Sequence, residues 1–465
     1  MRYISTRGQT EPMPFKDAVI TGMAPDGGLL IPETTPDVRA DLGDWRGLPF
    51  VPFAQALIAR FVDDIPREVL DELIANAYAT FDHEEVVPFK ALKGLAGNHE
   101  VQVMELFHGP TLAFKDVALQ LLGQLFEYIL EERGEHINIL GATSGDTGSA
   151  AIAGVRGLPA VDVFIMFPEG RVSPLQERQM TTIADENVHC LAVEGSFDDC
   201  QSLMKGLFAD ADAKAGLSLG AVNSVNWARV LAQIVYYGYA SLKFAGSEPA
   251  SFCVPTGNFG NVFAGFLAKR MGFPIDKLVI ATNDNDILAR FFETGDYARG
   301  TVHHTTSPAM DIQVASNFER YLYYHFGEDA ARLTEFMETF AETGSASVGG
   351  RPETDDFLAT AVSESEVQAT IARVYAENGY VTDPHTAVGL AAAGRFKVAG
   401  VQICAATAHP AKFPEAVNEA IGEPVATHPT LEALKDLPVR KTVIPATTEA
   451  VRAFLDAHAQ VAEAG

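Results

Sequence analysis

Glu105-Leu106-Phe107-His108-Gly109-Pro110-Thr111-Leu112-Ala113-Phe114-Lys115-Asp116 is the stretch on which the fold turns. A Gly-Pro turn leads into an apolar approach that ends on a single lysine. From Val117 the apolar residues recur at helical spacing (Ala118, Leu121, Leu122, Leu125, Ile129), with Gly134 as the expected C-cap. Lys115 therefore falls at or near a helix N-terminus. Burial there lowers a lysine's pKa, as does the positive end of the helix dipole, while Asp116 pulls it back up. An amine kept partly neutral is suited to forming a Schiff base. On spacing alone, a solvated surface lysine is the commoner case.

Outward from this stretch, strand and helix patterns alternate. Short apolar runs at 101–104, 137–140, 161–167, 188–193, 251–254, 278–282 and 401–405 are separated by helical segments of about a dozen residues. That alternation predicts parallel βαβ units and α/β, doubly wound sheets. The division expected is an N-terminal α+β module over 1–90, a smaller unit over 91–240 that carries the lysine helix, and a larger unit over 241–465. A mostly helical insertion is expected near 298–384. Ser173-Pro174-Leu175-Gln176 has the form of a capped helix start with proline at its first position.

Composition narrows the function classes. The 465 residues carry 34 basic and 61 acidic side chains, a net charge of −27 that repels nucleic acid and anionic lipid. Hydrophobic content of 47% and charged content of 20% fit a globular protein with much buried sheet. The first eight residues, Met1 to Gly8, lack the apolar core of a signal peptide, and no run is long and apolar enough for a membrane span. Cys190, Cys200, Cys253 and Cys404 are scattered, which predicts reduced core thiols in a cytoplasmic protein. Histidine spacing suits no metal, and there is no Gly-x-Ser-x-Gly elbow.

Three expected strand ends carry candidate ligand groups, as doubly wound sheets require. Gly141-Ala142-Thr143-Ser144-Gly145-Asp146-Thr147-Gly148 offers small residues, hydroxyls and N–H groups at a helix start, suited to a carboxylate or phosphate and equally to a tight turn. Pro255-Thr256-Gly257-Asn258-Phe259-Gly260-Asn261 repeats that form; close backbone approach at its glycines suits a phosphate, and Asn261 as a simple helix cap is the alternative. Thr407 follows a buried strand, where its hydroxyl either faces a heterocyclic nitrogen or bonds its own backbone. Separately, Asn223-Ser224-Val225-Asn226-Trp227-Ala228-Arg229 gathers amides, a hydroxyl and a cation at a helix start, a candidate second anion site. A solvated face or surface ion pair is the alternative for Arg229.

Together these motifs, with Tyr3-Ile4-Ser5-Thr6-Arg7-Gly8 and Asp383-Pro384-His385-Thr386-Ala387, resemble the tryptophan-synthase-β-like (fold type II) family of pyridoxal-phosphate enzymes, and within it the threonine synthases of the longer subtype. The likeness runs from the first residues to about residue 415. It implies pyridoxal 5'-phosphate held by Lys115, which also serves as the base at the substrate's Cα. Gly257, Asn258, Phe259, Gly260 and Asn261 would bind the cofactor phosphate, Thr407 its ring nitrogen, and Asp146 would lie near its phenolic oxygen. Thr143, Ser144 and Thr147 would take the substrate carboxylate. The activity implied is γ-elimination of phosphate from O-phospho-L-homoserine and β-addition of water to give L-threonine, by a monomer or homodimer; a phospho-lyase or a serine/threonine dehydratase giving 2-oxobutyrate is the alternative. Asn223, Ser224, Asn226 and Arg229 are assigned to the leaving phosphate by residue chemistry.

Overall fold

The computed structural model of the chain describes residues 1–96, 99–143, 145–210 and 216–460. Two open sheets hold most strands. The six-stranded sheet runs, in spatial order, Phe357–Ala361, Ile275–Thr282, Ala250–Pro255, Gln402–Ala406, His99–Glu105 and Phe89–Ala96. Only the last pair is antiparallel. The five-stranded sheet runs Thr442–Pro445, Val188–Glu194, Val161–Pro168, Ile137–Ala142 and Leu219–Gly220, all parallel. Val161–Pro168 and Ala250–Pro255 are buried along their whole length, which is why, apart from Asp162 and Ser251, they read as apolar runs rather than as alternation.

Sheet membership crosses the expected boundaries at both ends. Strand His99–Glu105, inside the 91–240 segment, pairs with Gln402–Ala406 of the larger sheet, while Thr442–Pro445 pairs with Val188–Glu194 of the smaller one. The segment near 298–384 also departs from a helical insertion. Besides the helices Phe318–His325, Ala330–Thr343 and Glu364–Asn378, it supplies the edge strand Phe357–Ala361. That strand buries only its first residue fully, so its sequence carries no strong strand signal. At the N-terminus, Tyr3–Ser5 pairs with Leu30–Pro32, and helices Phe50–Ile58 and Arg67–Tyr78 complete the α+β module.

The topology converges on one place. Strands His99–Glu105, Gln402–Ala406 and Ala250–Pro255 are neighbours in the larger sheet, so the loops leaving their C-terminal ends lie side by side: the lysine loop, Thr407, and 256–261. The helix Lys115–Arg133 ends as expected on Gly134, at φ 63°. Its face bearing Val117, Leu121, Leu122, Leu125, Phe126 and Ile129 is buried, each of the larger side chains contributing about 1.5–3 kcal/mol. It crosses helix Asp146–Val155 with backbones in contact. A Cβ on Gly123 would lie 1.8 Å from the Gly154 carbonyl oxygen, and one on Gly154 would lie 2.5 Å from that of Leu119. This glycine contact fixes the separation of two helices whose first residues are Lys115 and Asp146. Among the described residues, the four cysteines are free and buried, and no helix is long and apolar enough to cross a membrane.

Candidate active site

Lys115 is the first residue of its helix, and its side chain is buried. The loop before it is stitched to the end of strand Gln402–Ala406 and the residues that follow: Leu106 N–H donates to Ala406 O, Phe114 N–H to Thr407 O at 2.8 Å, and His409 N–H to Leu112 O. Between these bonds Leu112 sits at φ 61°, a strained conformation for leucine that the surrounding hydrogen bonds impose. Burial lowers the Lys115 pKa below that of an ordinary lysine. Asp146 opposes this, Lys412 and Arg229 reinforce it, and Asp116 opposes it least. The expected direction holds, but Asp116 is not the main counterweight. Its carboxylate takes the Thr111 N–H at 2.8 Å and the Thr111 hydroxyl at 2.7 Å, and burial raises its pKa to about 6.

Asp146 is the carboxylate that faces Lys115, with Oδ2 3.7 Å from Nζ. Its Oδ1 lies 3.1 Å from Nζ of Lys412 and accepts from Gln176 Nε2 at 3.0 Å. Burial alone would raise the Asp146 pKa; Lys412, then Lys115 and His385, outweigh it and hold the group well below the usual carboxylate range. His385 is oriented by Asp383, whose Oδ1 is 3.0 Å from Nδ1, and its Nε2 accepts the Ala309 N–H. Lys412, Gln176 and His385 have no assigned role in the sequence reading. The one signal was the Asp383–Ala387 motif around His385; Lys412 stands five residues past Thr407, in a loop with no periodicity.

The loop after Ala250–Pro255 is shaped for close approach. Helix Gly260–Met271 begins without a side-chain cap, so the N–H groups of its first turn have no intrahelical acceptor. Phe259 takes φ 66° at the N-cap, held there by a ring that packs on Phe318 at 5.1 Å and Tyr321 at 5.8 Å. A Cβ on Gly257 would approach Ala309 O to 2.9 Å. Asn258 O accepts the Asn317 N–H, tying the loop to the segment before Phe318–His325. Asn261 does not cap the helix: its Oδ1 accepts from Tyr236 and Tyr237 hydroxyls at 2.6 and 2.7 Å, and its Nδ2 is buried without a partner. Thr407 likewise departs from the self-bonding alternative. Its N–H donates to Thr386 Oγ1, and its hydroxyl makes no hydrogen bond among the described residues.

Of the second candidate anion site, Arg229 is buried, and its Nε and Nη1 have no hydrogen-bond partner among the described residues. Burial lowers its pKa to about 10, so it stays charged at neutral pH. The surface-ion-pair alternative is excluded. Ser224 Oγ pairs with Ser316 Oγ at 2.7 Å, and the Ser224 carbonyl accepts from Asn317 Nδ2, which joins this loop to the one at 256–261. Asn223 Oδ1 accepts the Val225 N–H.

Two expected ligands carry structure instead. Asn226 caps helix Trp227–Phe244 by accepting the Ala228 N–H at 3.0 Å, and its Nδ2 donates to Val19 O at 2.8 Å, so both ends of the amide are engaged away from an anion. Thr143 accepts N–H bonds from Gly145 and Gly148 on one hydroxyl, organising its own loop. Thr147 keeps a hydroxyl with no partner among the described residues, on the first turn of a helix without a side-chain cap. Ser144 lies outside the described residues.

Comparison with known proteins matches the chain to three family models in chain order. Residues 2–78 match "Threonine synthase N terminus", 81–402 "Pyridoxal-phosphate dependent enzyme" and 386–455 "Threonine synthase, C-terminal". Threonine synthase from Pseudomonas aeruginosa is 46% identical over 467 residues, covering 98% of both chains. The chain belongs to the threonine synthase family. The Saccharomyces cerevisiae threonine synthase is 44% identical over 460 residues, covering 90% of this chain and 89% of that one. A pyridoxal-phosphate-bound threonine synthase from Brucella melitensis superposes with a TM-score of 0.95 at 44% identity, covering 99% of this chain and 100% of that one. Membership in this family makes the chain a fold type II pyridoxal-phosphate enzyme, and its own residues fit that cofactor. The buried lysine, the uncapped glycine loop at 257–260 and the unbonded Thr407 hydroxyl stand at three adjacent strand ends.

Proposed function

We propose that this chain converts O-phospho-L-homoserine and water into L-threonine and inorganic phosphate. The observation that carries this reading is Arg229: a buried guanidinium with two unpaired donors, close enough for its charge to act on Lys115, yet outside the glycine loop suited to the cofactor phosphate. A buried cation without a carboxylate costs several kcal/mol unless a ligand repays it, and a phosphate is the bidentate partner a guanidinium fits. A substrate whose leaving group is itself a phosphate matches a site with two anion positions.

Pyridoxal phosphate, when bound, supplies the electron sink that makes the protons at Cα and Cβ acidic. The residues do the rest. Lys115 would hold the cofactor covalently, and its amine, when free and neutral, would take the Cα proton. Backbone N–H groups over 257–261 would hold the cofactor phosphate, and the Thr407 hydroxyl would serve the ring nitrogen without adding a charge. Thr147 and the start of its helix receive the substrate carboxylate. Arg229, with Asn223 and Ser224 lining its loop, holds the γ-phosphate and then the departing anion. Closure of the two sheets over a multiply charged substrate keeps water away until Cβ is ready to accept it. A substrate that cannot cross membranes unaided suits an enzyme of the cytoplasm.

The test is incubation of the reconstituted chain with O-phosphohomoserine, followed by chromatographic identification of the organic product. Threonine formed in equal amount to phosphate is expected. Phosphate with 2-oxobutyrate in place of threonine would make it a phospho-lyase and overturn the assignment.

A further inference from the structure

Lys412 is a second buried lysine at the site, on the loop that follows strand Gln402–Ala406. Its ammonium is satisfied on three sides: Thr111 O at 2.6 Å, Gln179 Oε1 at 2.8 Å and Asp146 Oδ1 at 3.1 Å. A lysine nitrogen with three acceptors in hydrogen-bond range has every proton placed. The two acceptor oxygens of Asp146 are thus divided between two lysines: one held at 3.1 Å, the other facing it at 3.7 Å, beyond a good hydrogen bond. We propose that Lys412 is a positioning residue that claims the Asp146 charge, so that Lys115 is left with too little of it to keep its proton.

The electrostatics of the surrounding elements agree. The charged groups facing Lys115 are Asp116 on its own helix, Asp146 on the neighbouring one, Arg229 on helix Trp227–Phe244 and Lys412 on the segment after strand Gln402–Ala406. His385, on helix Pro384–Ala393, faces Asp146. Asp116 is engaged by Thr111 and contributes least to holding the Lys115 proton, so Asp146 is the carboxylate that chiefly retains it, and Lys412 competes for that charge. The Thr111 carbonyl bound by Lys412 belongs to the turn that leads into Lys115, so the same ammonium fixes the nucleophile's approach. The inference rests on Lys115 being the nucleophile of the proposed reaction.

It makes an opposite-sign prediction that damage to the fold cannot imitate. In the full-length protein freed of cofactor, competitive acetylation of Lys115 is followed by peptide mass mapping as pH is raised. In Lys412→Met, Asp146 has Lys115 as its sole ammonium partner, so labelling at a fixed pH below the midpoint should fall about ten-fold. In Asp146→Asn the attraction is gone and the repulsion from Lys412 stays, so labelling at that pH should rise. The double variant should fall between them. Shifts in the same direction in both single variants, or none, would show that Lys412 is only a structural tie and overturn the proposal. Circular dichroism confirms that each variant is folded. Product identification on the unaltered enzyme is independent: threonine with unmoved labelling sinks only the role of Lys412, whereas no threonine sinks the functional reading itself.

Discussion

Two helix starts at the site offer opposite kinds of group to an anion. Helix Gly260–Met271 has no side-chain cap, a glycine on its first turn and a tight approach at Gly257, so its own N–H groups are what it offers. Helix Trp227–Phe244 is capped by Asn226 and offers a side chain instead, the unpaired guanidinium of Arg229. Backbone dipoles are fixed by the fold, cannot titrate and suit a group that stays. A guanidinium is a full charge that binds strongly when desolvated, and it suits a group that must be gripped as it leaves. On this difference rests the proposal that the first start holds the resident cofactor phosphate and the second the substrate's.

Arg229→Met breaks this comparison most sharply. Steady-state kinetics should show kcat/KM for O-phosphohomoserine lowered on the order of 100- to 1,000-fold, with the cofactor absorbance at unchanged occupancy. Loss of cofactor instead would merge the two sites into one. Gly257→Ala attacks the other side. Its Cβ would crowd Ala309 O at 2.9 Å, so cofactor affinity by titration of absorbance should fall about ten-fold, while KM at saturating cofactor stays put. Asn226→Ala removes a cap and the tie to Val19, so thermal denaturation should report a loss of about 1 kcal/mol, and inhibition by inorganic phosphate should change little. A large change in phosphate inhibition would return Asn226 to the anion site. The smallest effect is in pH. With the Arg229 pKa lowered to about 10, phosphate inhibition should hold flat from roughly pH 8 to 9 and weaken toward 10, whereas cofactor retention through backbone groups should not follow that curve.

The sequence carried the site's strand ends well because they rest on local rules. Apolar runs such as 163–168 announce buried parallel strands, and the apolar stripe from Val117 to Ile129 announces the lysine helix. What it did not carry is non-local. Lys412 meets Asp146 across 266 positions of chain, and no spacing rule reaches that far. Asn226 and Thr143 have the residue types of ligands, yet each spends its polar atoms on neighbouring backbone, which only three-dimensional placement distinguishes. The edge strand Phe357–Ala361 escaped because an edge buries little, and Thr442–Pro445, with one buried residue, gave the same weak signal. Sheet membership departs from the expected segments 91–240 and 241–465 at their outer ends, at His99–Glu105 and Thr442–Pro445, for a related reason. Pairing partners in a parallel sheet are chosen by topology, not by proximity along the chain.

Everything assigned to the two anion positions depends on which amine carries the cofactor, and the site holds two buried lysines. Borohydride reduction of the reconstituted enzyme, followed by peptide mapping, reads this directly. The pyridoxyl group should be found on Lys115 alone; finding it on Lys412, or on any other lysine, would contradict the account.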